Sequence, residues 1–222
     1  MTSRAASGRL LMLLAWANVV LHLAALVLAV VGMRPGSPAF DLDSRRAYLA
    51  GHPPLWAWGW GSWMGCALLQ VAFYAALASH VTEHPHVARL AVTIACAGAV
   101  VDLFCDALFI TVLPAAAAGG RENEALFLAL ERLGSAGGLI VANGFYVLAT
   151  FLLTLCLRGR PGVAPGVLAA GYGVFGFGLL LSAAGFTGVA WHAEVMTGPT
   201  IGCFCLWVLL AARSVRPPEK HA

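Results

Sequence analysis

The chain has 222 residues, 60% of them hydrophobic and 10% charged, with a net charge of +3 at neutral pH. A soluble domain carries roughly 25% charged residues, and a chain this short has too little interior to hide so much apolar surface from water. An ordinary soluble domain is therefore excluded, and the lack of any Lys/Arg run excludes a nucleic-acid-binding segment.

A membrane-spanning helix needs about 20 mostly apolar residues. The first such stretch is 10–33, too long for the apolar region of a cleaved signal peptide, which runs to about 15 residues. It reads as a retained helix. The second, 55–79, follows Pro53-Pro54 and gathers Trp56, Trp58, Trp60 and Trp63 at one end, the residue type that favours the headgroup level. The third, 90–113, is interrupted only by Asp102 and Asp106 and is expected to stop at Pro114. Within the following 120–133 segment, Ala125–Leu130 forms an amphipathic turn expected to lie along the membrane surface. The remaining stretches are 134–157, 164–188 behind Pro161 and Pro165, and 195–212. The prediction is an all-α, polytopic transmembrane helical bundle of about six spans, forming a single membrane domain.

Orientation follows from basic residues, which concentrate on the cytoplasmic side. With six spans, one side holds Arg4, Arg9, Arg89, Arg158, Arg160, Arg213, Arg216 and Lys220. The other holds Arg34, Arg45, Arg46, Arg121 and Arg132, offset by six carboxylates. The bias places both termini in the cytoplasm and the 33–52 and 120–133 loops outside.

The polar residues within the spans carry the chemistry. Asp102 falls close to the centre of the third span, and Asp106 lies one turn further on the same face. Each central Asp costs roughly 2.5–3.5 kcal/mol to insert. Two like charges that close in a low dielectric resist ionising together, so they need partners, protons or water. Asn18 and His22 share a face of the first span, extended by Ala15, Ala25 and Ala29. Gln70 and Tyr74 share a face of the second with Trp63, and Asn143, Tyr146 and Thr150 share one of the fourth. The expectation is that these stripes converge on an interior polar cluster comprising Asp102, Asp106, His22, Asn18, Asn143, Tyr146 and Gln70. Taken singly, Gln70, Asn143 and Thr150 are more often hydrogen-bonding glue between helices than functional groups.

Other groupings read as bland. His80, Glu83, His84 and His86 form a short turn broken by Pro85, and His192 with Glu194 form another. Both read as solvated loops, so no metal site is assigned. Cys203 and Cys205 point to different faces of a helix. Gly61/Gly65 and Gly134/Gly138 match a helix-packing spacing, and Gly171, Gly173, Gly176 and Gly178 make the fifth span either flexible or close-packed.

Several functions lose their signatures. There is no phosphate-binding glycine loop, no HExxH and no GxSxG. The sole lysine, Lys220, lies in the tail, so a retinal Schiff base inside the bundle is excluded. Only His22 lies deep, which argues against a bis-histidine haem. No cofactor is expected.

The run Arg158-Gly-Arg-Pro161, the Gly/Ala-rich helix after it, and Leu206-Trp207 near the last helix end resemble small uncharacterised six-helix bacterial integral membrane proteins. That resemblance implies an architecture and a place in the bacterial cytoplasmic membrane, and no activity.

Three functions remain. A proton-linked carrier of a small solute would use Asp102 to bind a proton or cation, Asp106 to share it and His22 as a switchable partner. A membrane-embedded enzyme for a lipid-like substrate would use either Asp as general acid/base, with Cys105 a weaker nucleophile, and needs a cavity beside the pair. A structural subunit would use the polar stripes to fix helix register. The expected partners are the bilayer and a solute or proton, with a homo-oligomer or second membrane protein left open.

Overall fold

The computed structural model describes residues 2–187 and 190–215. The side chains of Arg4, His192 and Glu194, and all of Arg216 and Lys220, lie outside the described residues. The chain is all-α, with helices α1 (Thr2–Val27), α2 (Leu42–Gly51), α3 (Pro53–Ala78), α4 (Pro85–Ala118), α5 (Glu124–Ser135), α6 (Asn143–Leu157), α7 (Pro165–Thr187) and α8 (Ala190–Ser214). Among the described residues, six helical stretches are long and apolar enough to cross a bilayer. Leu13, Val20 and Val27 are spaced at two-turn intervals along α1, and each is more than half exposed. A stripe of that kind needs lipid rather than water as its solvent, and the protein is an integral membrane protein.

The spanning helices pack in chain order as a closed ring. α1 lies against α3, α3 against α4, α4 against α6, α6 against α7, α7 against α8, and α8 returns to α1. A ring of six helices leaves space on its axis, and side chains must fill it or leave it hollow.

At the end of the ring that carries the start of α1 and the end of α8, the axis is filled. Leu11, Ala15, Phe73, Tyr74, Leu77, Leu153, Trp207 and Val208 form a continuous, almost fully buried core. Phe73, Tyr74, Phe204 and Trp207 meet largely edge to face, with ring centroids about 6 Å apart. Glycines let the helices close up. A Cβ on Gly171 would lie 2.2 Å from Thr154 Oγ1, and one on Gly178 would lie 2.2 Å from Val147 Cγ2. Gly171 and Gly178 are thus contact points against α6, and Gly173 is one against Cys203 of α8, so these three are close-packed; Gly176 has no neighbour within 4 Å of where a Cβ would stand.

At the opposite end the helices overrun the membrane. The α4 stretch has 34 residues and the continuous helical stretch 120–157 has 38. At about 1.5 Å per residue they reach about 50–57 Å, well beyond a hydrocarbon core of about 30 Å. Their extensions form a collar with α2, built on a second core of Met33, Leu49, Trp56, Phe109, Leu113, Ala116, Ala117 and Phe127.

The collar overturns three expectations. Pro114 does not stop the third span: α4 begins at Pro85 and continues through Pro114 to Ala118. Proline removes one backbone hydrogen bond, but burial of Ala116 and Ala117 in the collar holds the last turn helical. The 125–130 stretch is not a separate turn along the membrane surface. It belongs to α5, which runs through a π-helical segment, Ala136–Ala142, directly into α6. Phe127 finds its apolar partners in the collar instead of in lipid headgroups. The 33–52 segment contains a ten-residue helix, α2. Asp41 caps it, accepting from the Ser44 backbone N–H at 2.9 Å; that hydrogen bond holds the Asp41 carboxyl below its usual pKa.

Candidate functional site

The hollow half of the ring contains a cavity of about 620 Å³, whose lining runs from His22 and Gln70 to Arg34 and Glu131 beside the collar. Its floor is polar and its walls are largely aromatic and aliphatic. Of the residues the sequence singled out, His22, Gln70, Asp102, Asp106, Asn143 and Tyr146 all line it.

α4 brings the carboxylates to this cavity because glycines face it. Built Cβ atoms on Gly134, Gly137 and Gly138 would meet Phe109, Cys105 and Asp102 respectively. A side chain at Gly134 or Gly137 would clash with this α4 face, at 2.5 and 2.3 Å, whereas one at Gly138 would make an ordinary contact with Asp102 at 3.8 Å. The glycines stand at the π-helical segment between α5 and α6. A second π-helical segment, Leu28–Met33, continues α1 on the opposite side of the ring, and Ala29, Val30 and Met33 also line the cavity. Such wide turns recur at functional sites because they perturb the regular helical ladder.

Hydrogen bonds fix the side chains of the floor. His22 Nδ1 donates to the Asn18 carbonyl oxygen at 2.9 Å, so in the neutral ring Nε2 is the acceptor. Gln70 lines the cavity together with His22, and its Nε2 donates to Tyr74 Oη at 2.6 Å. Thr150 Oγ1 donates to the Tyr146 carbonyl oxygen at 2.9 Å. Tyr74 Oη therefore donates to Thr150 Oγ1. Tyr146 Oη donates to Asp102 Oδ2 at 3.2 Å. The His22 ring lies against Phe204, centroids 4.8 Å apart, and edge-on to Trp63 at 6.3 Å. Contributions from α1, α3, α4, α6 and α8 thus meet at one level.

Asp106 differs from Asp102. It is 2% exposed, and its Oδ2 has no hydrogen-bond partner among the described residues. A buried, unpaired carboxylate oxygen costs free energy that only a proton, a cation or water removes.

Asn18 is the member of the expected cluster that the structure places elsewhere. Its side chain is fully buried outside the cavity lining, and Nδ2 donates to the Leu14 and Leu69 carbonyl oxygens at 2.8 and 3.0 Å. It bonds α1 to α3 as packing glue, and only its backbone carbonyl touches the site. Asn143 does both jobs: it lines the cavity while Nδ2 donates to the Gly178 carbonyl and to Ser182 Oγ on α7, at 2.9 and 2.8 Å.

Sequence reasoning missed the mouth. Arg34 and Glu131 line it, and Glu131 pairs with Arg45 of α2, whose guanidinium also stacks over Phe127. Tyr48 Oη donates to the Gly32 carbonyl, and Trp56 Nε1 donates to the Phe109 carbonyl at 2.8 Å. The first bond holds α2 against the rim of the cavity, and the second ties α3 to α4 there. The available signal was the capping pair Asp41/Ser44 ahead of Arg45-Arg46, together with Glu131 one residue beyond the amphipathic 125–130 stretch.

No family model, no curated protein and no solved structure matches this chain.

Proposed function

We propose that this protein is a proton-linked carrier of a small solute, with Asp102 and Asp106 as the shared site for proton and solute. The observation that carries this reading is the pair of carboxylates on the wall of a cavity, one of them buried with an unpartnered oxygen. Carboxylates at membrane depth are expensive and usually stand on ion or solute pathways. The filled half of the ring supports a carrier over an open channel, because Phe73, Tyr74 and Trp207 block the axis below the cavity. Passage then needs the filled half to open while the hollow half closes. With the basic-residue bias setting orientation, both termini are cytoplasmic and the cavity opens to the outside.

A membrane enzyme also needs a cavity beside the Asp pair, but the floor gives it no activated nucleophile. Cys105 faces Gly137, and no His contacts it among the described residues. Asn18 Oδ1 is also buried without a partner among the described residues, but Asn18 is a neutral amide; the purely structural reading leaves unexplained why the group at 106 is an ionisable carboxyl, whose burial costs far more.

The test is the infrared carboxyl band of the protein in lipid across about pH 4–9, in wild type, Asp102→Asn and Asp106→Asn. The carrier reading expects at least one carboxyl band to titrate reversibly, to vanish in one Asn variant and to move in His22→Gln. Two carboxyls that stay unchanged over that range would mean permanently fixed groups and would sink the carrier.

A further inference from the structure

The cavity also restricts what the solute can be. We propose that it is an organic cation with an apolar, aromatic-compatible body, taken up as the Asp102–Asp106 pair gives up a proton. This rests on the carrier reading above and specifies its substrate class.

Charge is the first argument. Every group facing the pair is polar or apolar without positive charge at that depth. α1 presents His22, whose Nδ1–H is already committed to a backbone carbonyl. α3 presents Gln70 and Cys66, and α6 presents Tyr146. α7 and α8 present Val174, Leu181, Thr200 and Phe204, with no charged side chain among the described residues. α5 presents Glu131, whose charge Arg45 already balances. Arg34 stands at the mouth, about 18 Å further along the first span than His22 by helical rise. The deep end therefore carries uncompensated acidity. It repels an anion and accepts either protons or a cation.

Size and surface distinguish an organic cation from a metal ion. Ca²⁺ or Mg²⁺ takes six or more oxygen ligands in a tight shell. Here the oxygens are few, and no group of three or more His, Cys, Asp or Glu residues is placed to hold an ion among the described residues. A volume of about 620 Å³ falls within the range of about 300–1,000 Å³ for sites that enclose small organic molecules. Trp60, Trp63, Phe109 and Phe204 line the same space. Aromatic faces attract a desolvated organic cation and bind its apolar body equally well.

The exchange balances without a co-reactant. One monovalent cation enters as one carboxylic acid releases its proton to water, so the charge of the site stays constant. No bond to the solute forms or breaks.

The experiment uses the full chain in lipid nanodiscs, with tryptophan fluorescence as the binding readout. The probes are tetraphenylphosphonium, the smaller phenyltrimethylammonium, and tetraphenylborate, which matches the first in shape and opposes it in charge. Proton release into weak buffer is followed with an indicator dye. The expected result is saturable binding of at least one cation, with proton release, weakening as pH falls, and no competition by tetraphenylborate. Asp106→Asn should bind the cation about tenfold more weakly, a loss of about 1.4 kcal/mol. Asp106→Glu, which keeps the charge, should restore binding where the Asn variant folds poorly. Failure of both cations to bind wild type, equal competition by tetraphenylborate, or cation binding without proton release would each overturn the proposal. Carboxyls that titrate with neither cation bound would reject this substrate class and leave the carrier standing. Cation binding with proton release, but no cation movement in proteoliposomes under a pH gradient, would keep the substrate class and reject the carrier.

Discussion

At the scale of single residues, spacing within one helix was readable and partners on other helices were not. The i,i+4 relation of Asp102 and Asp106 follows from helical geometry alone. That Asp102 accepts from Tyr146 while Asp106 Oδ2 has no partner among the described residues depends on how α4 approaches the 124–157 helix, which the close contacts at Gly134 and Gly137 permit. Asn18 shows the opposite case. Its face was right and its role was packing, because its amide nitrogen is taken up by the carbonyls of Leu14 and Leu69 before it reaches the cavity. His80, read as part of a solvated turn, is tied on both sides: Ser7 Oγ lies 3.0 Å from its Nε2, and Arg160 Nη1 donates to its carbonyl at 3.0 Å. Arg160 also pairs with Glu83 at 3.2 Å. Burial, and then the Arg160 charge, holds the His80 imidazole below its usual pKa. The unfolded chain takes up that proton first, near pH 6.5, so the stability given by neutral His80 is full above that pH. It is lost as pH falls through 6.5 and on through the folded value. Thermal unfolding in nanodiscs between about pH 7.5 and 5 should therefore show a shallower acid-side loss in His80→Gln than in wild type. Equal slopes would mean that the turn is as solvated as its composition implies.

At the scale of elements, the spans were legible because about 20 apolar residues leave little alternative. The ends were not, because tertiary contacts decide them. Pro114 looked like a stop and became an interior residue once Ala116 and Ala117 were buried against α2 and α5. α2 itself is short and polar, so no apolar stripe announced it; it is held by what it touches. Arg45 and Arg46 are each 6% exposed, and Glu131 is the carboxylate that Arg45 reaches. Removing one partner of a buried ion pair typically costs about 3–5 kcal/mol, because the other charge is stranded. Glu131→Gln should therefore loosen α2 locally without melting the ring. Hydrogen exchange should accelerate across Leu42–Gly51 while α3 and α6 keep their protection. If α2 exchanges no faster in the variant, the Tyr48 bond and the burial of Leu49 suffice to hold it, and the pair at the mouth is free to answer to a solute.

At the scale of the whole molecule, the decisive property is the asymmetry between the two halves of one ring. Composition fixed the number of spans, but no pattern in the sequence states that the ring closes from α8 back to α1, nor which half is hollow. Hollowness is a sum over side-chain volumes from six helices, and it emerges only when they are assembled. The first span tests it directly, because the same residue type occurs in both halves. Ala15 is 0% exposed within the filled core, and Ala29 lines the cavity. Leu at either position adds the same apolar volume and keeps a strong helix former. In a close-packed core the extra atoms force neighbours off their rotamers, at about 1–3 kcal/mol. Beside a cavity they meet open space. Ala15→Leu should thus lower the melting temperature in nanodiscs, while Ala29→Leu should leave it close to wild type and weaken cation binding by narrowing the site. Equal destabilisation by both would mean that the space around Ala29 is closed in the membrane, and the solute site would have to lie elsewhere. A harmless Ala15→Leu would mean that the filled half is loose enough to open, which is the motion a carrier needs.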